Sequence, residues 1–340
     1  MHGIGHRGSL LVVTLWLIVA LAAAAVALSS YLSTETRLMR YHIAKAQARA
    51  WAESGVVLAL ERLVMDAKPE QTNPDKSYDW LGDEWAYVPG QMDSVGRWLV
   101  KLPTKPESQP NFSGALTIRI VDEERKLGIN RIATLDDEQL FGRLFKNPNA
   151  AALIADYVDQ DSLARSQFGV GMEHSPTYTA KNADIKHLAE LRDIPGLPEE
   201  PAFWKTLHDE VTAEPVQKLN INTVSLAILK AIGLPLTTEV VGAIDRHRTR
   251  TDGIFDDPST IVSTFKLSSL SSTDQATLKT WFQERFGVTS SSFLITSEVT
   301  LEAPPVSCRI DAIVRRKSSA PTASMTVAGE SFDIVTWSEQ

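Results

Sequence analysis

His6-Arg7-Gly8-Ser9-Leu10-Leu11-Val12-Val13-Thr14-Leu15-Trp16-Leu17-Ile18-Val19 opens an apolar run that carries no charge until Glu35. A stretch of this length crosses a bilayer as a helix, because its backbone groups bond one another rather than water. Beyond Leu32 the helical period continues. Glu35, Arg37, Arg40, Lys45, Arg49, Glu53 and Arg62 alternate with Leu38, Ile43, Ala46, Ala50, Val57, Leu60 and Leu63. No proline interrupts before Pro69, and within the continuation only Gly55 weakens the run. The pattern predicts one helix from about Leu10 to Met65, apolar all round first and amphipathic afterwards. A secretory signal peptide cut near Ala22-Ala23-Ala24-Ala25 is the competing reading, and such a cut would split this helix. Arg7 and the histidines before it favour a cytoplasmic N-terminus with the body exported.

The body is large enough for a proper core: 340 residues, 43% hydrophobic, with mean hydropathy −0.11. A net charge of −8 disfavours nucleic acid and suits multivalent cations. Cys308 is the only cysteine, so no intrachain disulfide exists, and its place in an alternating segment marks it as a buried strand residue. Residues 66–112 are rich in Pro, Asp and Trp and read as a long packed connection. Residues 113–121 alternate at period two and read as a strand. Helical periods follow at Asp137–Phe145, Ala150–Val158, Ile185–Arg192, Val224–Ile232 and Glu239–His247. Strands return at Phe293–Leu301 and Cys308–Arg316, with further candidates at Met325–Val327 and Phe332–Trp337. A helical domain inserted into a sheet unit follows from that order.

The N-terminus resembles that of type IV pilin-like proteins, in which a prepilin peptidase cuts after a glycine and methylates the new amine. Gly8 and Ser9 match the two sides of the cut. The usual glutamate at the fifth mature position is Val13 here, and the general secretion pathway K subunit, a minor pseudopilin of type II secretion, lacks it in the same way. Further segments are similar to that family in family order: Val121-Asp122-Glu123-Glu124 with Lys126-Leu127-Gly128-Ile129-Asn130; Asp156-Tyr157-Val158-Asp159-Gln160-Asp161; Gly169-Val170-Gly171-Met172-Glu173; Leu219-Asn220-Ile221-Asn222-Thr223; and Val288-Thr289-Ser290-Ser291-Ser292-Phe293. The chain is identified on these as a member of the K family.

The resemblance implies an α+β fold: a long N-terminal helix packed on a pseudopilin-type antiparallel sheet, with a large, mainly α-helical domain inserted. The expected parts are a leader (1–8), a membrane helix (9–34) and its amphipathic continuation (35–65). A sheet domain (66–134 with 287–340) then surrounds an inserted helical domain (135–286). The implied function is a scaffold at the tip of the periplasmic pseudopilus, anchored by one span in the inner membrane, and not an enzyme. Implied partners are the I and J minor pseudopilins, with the H type as a further candidate. Val13, Leu38, Ile43, Ala46 and Ala50 are the expected partner-contacting residues.

Asp159, Asp161 and Glu173 lie in an acidic loop whose spacing matches no EF-hand and by itself reads as a solvated helix end. The resemblance implies calcium there, with Asp156 and Asp122 as further ligand candidates. Residues 219–250 look like a helix-hairpin-helix, a unit that grips DNA phosphates through backbone amides and basic residues. Here Ile232-Gly233-Leu234-Pro235 loses one amide to proline, and acidic residues surround Arg246, His247, Arg248 and Arg250. A packing hairpin capped by Asn220 or Asn222 is the bland alternative, and a membrane-anchored periplasmic DNA-uptake protein the functional one. Ser290, Ser291 and Ser292 read as a solvated turn, and His187, His208 and His247 as isolated surface residues.

Overall fold

The computed structural model describes residues 7–72, 78–87, 90–93, 96–100, 102, 113–161, 163–164, 178–250, 253–264, 271–317 and 332–340. The N-terminal helix α1 runs Arg7–Thr72 without a break, about 100 Å at 1.5 Å per residue. From Leu11 to Leu32 its large apolar side chains are exposed on every side. By length and composition this half is a candidate single membrane span. Further along, Ala44, Ala48, Ala52, Val56, Ala59 and Leu63 are buried at helical spacing. Small side chains on this stripe let the helix backbone approach what it packs on. Gly55 marks the closest point: a Cβ there would lie 2.2 Å from Ser297 Oγ and 3.1 Å from Leu116 Cδ1.

The helix packs on a five-stranded antiparallel sheet built from β1 (Trp98–Val100), β2 (Gly114–Asp122), β7 (Ser292–Glu302), β8 (Pro305–Arg316) and β9 (Phe332–Glu339), in the order β1-β2-β7-β8-β9. Alternation explains its two faces. Leu116, Ile118, Ile295, Val299, Val306, Cys308, Ile310, Ala312 and Val314 are buried under α1. Thr117, Arg119, Thr296, Glu298, Arg309 and Asp311 fall on the opposite, polar face. Strands β2 and β7 pair through nine residues, ending at Asp122 opposite Phe293.

Between those two residues lies the helical block, with its own core from Leu127 to Phe286. Its elements are α2 (Leu135–Phe145), α3 (Pro148–Val158), α4 (Pro201–Glu210), α5 (Leu226–Ile232), α6 (Thr238–Arg248), α7 (Thr260–Thr264) and α8 (Ser272–Arg285). Thr134, Asn147, Ser225, Thr237 and Ser271 cap five of them, each accepting a backbone N–H from the first turn. Two short parallel pairs tie distant parts together: β3 (Leu127–Gly128) with β4 (Val211–Thr212), and β5 (Leu219–Asn220) with β6 (Phe286–Gly287).

The structure departs from the expected elements in three places. The helix extends to Thr72, past Met65. Ile185–Arg192 holds only a 3-10 turn, Leu188–Asp193, entered through a Glu190 carboxylate that accepts from the Lys186 and His187 amides. Neither Asn220 nor Asn222 caps a helix, because Ser225 and Thr237 occupy those positions. Cys308 is buried in β8 as its alternating segment requires. The candidate strand at Met325–Val327 lies outside the described residues.

Candidate functional site

On α1, Leu38, Ile43, Ala46 and Ala50 are all exposed: Ile43, Ala46 and Ala50 lie on the side turned away from the alanine stripe, and Leu38 precedes the first buried alanine. The helix therefore has one face committed to the sheet and leaves another open. Val13 is exposed within the apolar half. Gly8 and Ser9 lie in the first turns of the helix.

The acidic loop begins at the C-terminus of α3. Asp156 and Asp159 stand three apart, on one side of the helix end, and both are buried. Burying two carboxylates at the negative end of a helix is unfavourable unless positive charge or hydrogen bonds offset it. Two buried carboxylates with Asp161 immediately beyond are oxygen donors of the kind a hard cation takes. Asp161 Oδ1 accepts from the Leu163 amide at 2.8 Å, and its carbonyl accepts from Asn182 at 3.0 Å. Glu173 lies outside the described residues.

Asp122 sits elsewhere, in a polar seam between the sheet unit and the helical block. Its Oδ2 accepts from Thr223 Oγ1 and from Ser290 Oγ (2.7 Å), and its Oδ1 from the Glu124 amide (2.7 Å). Asn220 donates to Ser290 Oγ and to the Asp79 carbonyl. Asp79 accepts from the Ser290 amide at 2.6 Å and pairs with both terminal nitrogens of Arg316, at 2.8 and 3.1 Å. Glu214 joins Arg315 and Ser292. The serine segment is thus not a solvated turn: Ser290 and Ser292 are buried and hold the two units together. Asn222 bonds Phe255 at both its amide and its carbonyl.

Burial pushes the Asp122 carboxyl up to about 7, opposed by the hydrogen bonds from Thr223 and Ser290. Burial likewise raises Asp83 to about 6. Asp79 is also raised by burial, with Arg316 pulling the other way. Asp66, Asp79 and Asp83 bring carboxylate oxygens within 4.8 Å of one another, a cluster that the sequence reading missed. Arg316 already supplies a positive charge there, 2.8 Å from Asp79 and 3.6 Å from Asp66. This is an internal ion network closing the seam.

Of the basic groups on the hairpin between α5 and α6, Arg248 and His247 turn inward, while Arg246 and Arg250 are exposed. Arg248 donates to the Ile221 and Val224 carbonyls. The His247 ring packs on Phe255 at 4.6 Å. Arg143, from α2, closes the C-terminus of α5 through the Ala231 and Ile232 carbonyls.

No protein-family model and no curated protein sequence matches the chain. Among solved structures, a chain in the crystal structure of the GspK-GspI-GspJ complex of the type 2 secretion system of enterotoxigenic Escherichia coli is similar, with a TM-score of 0.61 at 17% identity. The match covers 89% of this chain and 99% of that one. The fold is pseudopilin-like. The uncovered share is far smaller than the helical block, so the likeness takes in most of that block.

Proposed function

We propose that this chain is a minor pseudopilin of type II secretion, of the K type, that forms the tip of the periplasmic pseudopilus and starts its assembly. One observation carries this: a single chain joins an apolar-then-amphipathic helix, a one-faced sheet and a broad helical block, in an architecture similar over 89% of its length to a chain of a GspK-GspI-GspJ complex. After cleavage between Gly8 and Ser9, and methylation of Ser9, the apolar half packs against partner helices in the inner membrane. Val13 suits a first subunit, which has no neighbour above it whose N-terminal amine needs a carboxylate. The exposed Leu38, Ile43, Ala46 and Ala50 are available to I- and J-type subunits, and to the H type. The N-terminus is cytoplasmic and the body periplasmic. This orientation rests on the prepilin-type leader, because the bias read from Arg7 is outweighed by Arg37, Arg40, Lys45 and Arg49, which follow Leu32 within 17 residues.

Asp156, Asp159 and Asp161, with Glu173, would hold calcium, which supplies the positive charge that fixes the loop to the end of α3. The role is a scaffold's and not an enzyme's. The inward-directed Arg248 of the hairpin, and Arg143 of α2 closing the end of α5, favour packing over DNA binding.

N-terminal sequencing of the mature membrane protein tests the processing directly: it is expected to begin at Ser9, and a start near Ala25 overturns the proposal. Val13→Glu is expected to disturb tip assembly. Wild-type secretion and partner capture by that variant would refute the tip position.

A further inference from the structure

A groove of about 760 Å3 runs between α1 and the hairpin end of β8. Its helix wall is basic, because His42, Lys45 and Arg49 recur at spacings of three and four and so share one side of α1. Its floor is Val306 and Cys308, both buried, and Glu339 stands on the far wall. Arg49 is engaged, 2.9 Å from Glu53 and 3.3 Å from Glu339. Lys45 is exposed, and among the described residues no carboxylate lies within ion-pair distance of it. The groove therefore combines an apolar floor with one exposed ammonium, that of Lys45, which is not balanced as Arg49 is by Glu53 and Glu339.

Two sources of negative charge fit such a groove, a lipid phosphate and a protein carboxylate, and the length of α1 separates them. His42 is ten residues beyond Leu32 on an unbroken helix, about 15 Å at 1.5 Å per residue. The headgroup layer on each side of the hydrocarbon is only about 5–7 Å deep. The groove stands clear of the bilayer when the apolar segment fills it.

We infer that this groove receives an acidic turn from the helix of a second, different subunit, lying parallel to α1 and displaced towards the membrane. The inference rests on the pseudopilin reading, which supplies the parallel orientation, since both helices start in the same membrane, and the downward displacement, since nothing sits above a tip subunit. Lys45 and His42 meet the partner's carboxylates, and Val306 and Cys308 give the turn an apolar seat.

The test uses the full chain co-expressed in membranes with I- and J-type pseudopilins. A photoreactive benzoylphenylalanine replaces Tyr41, an exposed residue of the groove's helix wall. Cross-linking to a partner peptide that contains Asp or Glu from its N-terminal helix is expected. Lys45→Glu is expected to lower that yield about tenfold, and Lys45→Arg to preserve it. An unchanged yield with Lys45→Glu, or cross-links to lipid or to a second copy of this chain, overturns the inference. Tagged wild-type chain that captures neither partner overturns the assembly role itself. Partner capture by the wild-type chain without the cross-link from position 41 overturns the groove alone, so the two failures are distinct. Equal thermal unfolding of the Lys45 variants confirms that the fold is intact.

Discussion

In the sheet unit, one helix and a run of long strands bury a single continuous face, built from an alanine stripe on α1 against Ile, Val and Leu of β2, β7 and β8. In the helical block, seven short helices among the described residues surround separately placed aromatics: Phe141, Phe145, Phe203, Phe255, Phe282 and Phe286. The first core is made by repetition, with close approach of backbone to sheet replacing side-chain bulk. The second is made by individual large side chains, each positioned by a cap or a turn. A polar seam lies where they meet. Two cores of this kind are expected to unfold as two partly coupled units rather than one, and substitutions in each separate them.

Phe141→Ala empties a fully buried site in the block and is expected to destabilise it by about 3–5 kcal/mol. In calorimetry the block's transition falls while the sheet unit's holds. A matched fall of both would show a single cooperative core. Gly55→Val does the converse, forcing a branched side chain against Ser297 and Leu116 at a cost of about 3 kcal/mol. Gly55→Ala should recover part of its loss when Ser297→Ala removes the Oγ that stands 2.2 Å from the new Cβ. Independent, additive effects would refute that contact.

Calcium is expected to raise only the block's transition, by about 2.7 kcal/mol at a hundredfold excess over Kd. Asp159→Asn should remove that gain, and an unchanged melting temperature in millimolar calcium would exclude the site. The seam responds to pH. The Asp122 carboxyl is held at about 7 in the folded chain against about 4 unfolded. The folded state therefore keeps the proton longer. Its contribution is complete below pH 4 and is lost as pH rises through 7. Asp122→Asn is expected to flatten a decline on the order of 2 kcal/mol between pH 5 and 8. A wild-type curve already flat over that range would contradict it.

The two regions also differ in how far the amino-acid sequence discloses them. Period 3.6 through α1 and period two through β2, β7 and β8 record burial directly, so helix, strands and insertion are legible. Gly55 is visible only as a weakness in the helix. That it is a point of contact depends on Ser297, 242 residues away. The seam is hidden for the same reason. Three serines in a row look like a turn, and only the fold brings Asp79, Asp122 and Asn220 to Ser290. The acidic helix end is half legible: Asp159 and Asp161 announce charge, while the burial of Asp156 follows from packing within the block.

The pairing of Asp122 with Phe293 gives the molecule a simple ancestry in engineering terms. Chain that leaves one strand and returns on its immediate antiparallel neighbour is, to the sheet, the connection of a hairpin, whatever its length. Two residues of Asn-Gly in a tight turn would close the same gap. The sheet unit is therefore a scaffold with an open slot, and what fills the slot can be exchanged without re-threading any strand. The width of the subunit and the path of its backbone through the sheet are separate properties, free to vary one without the other.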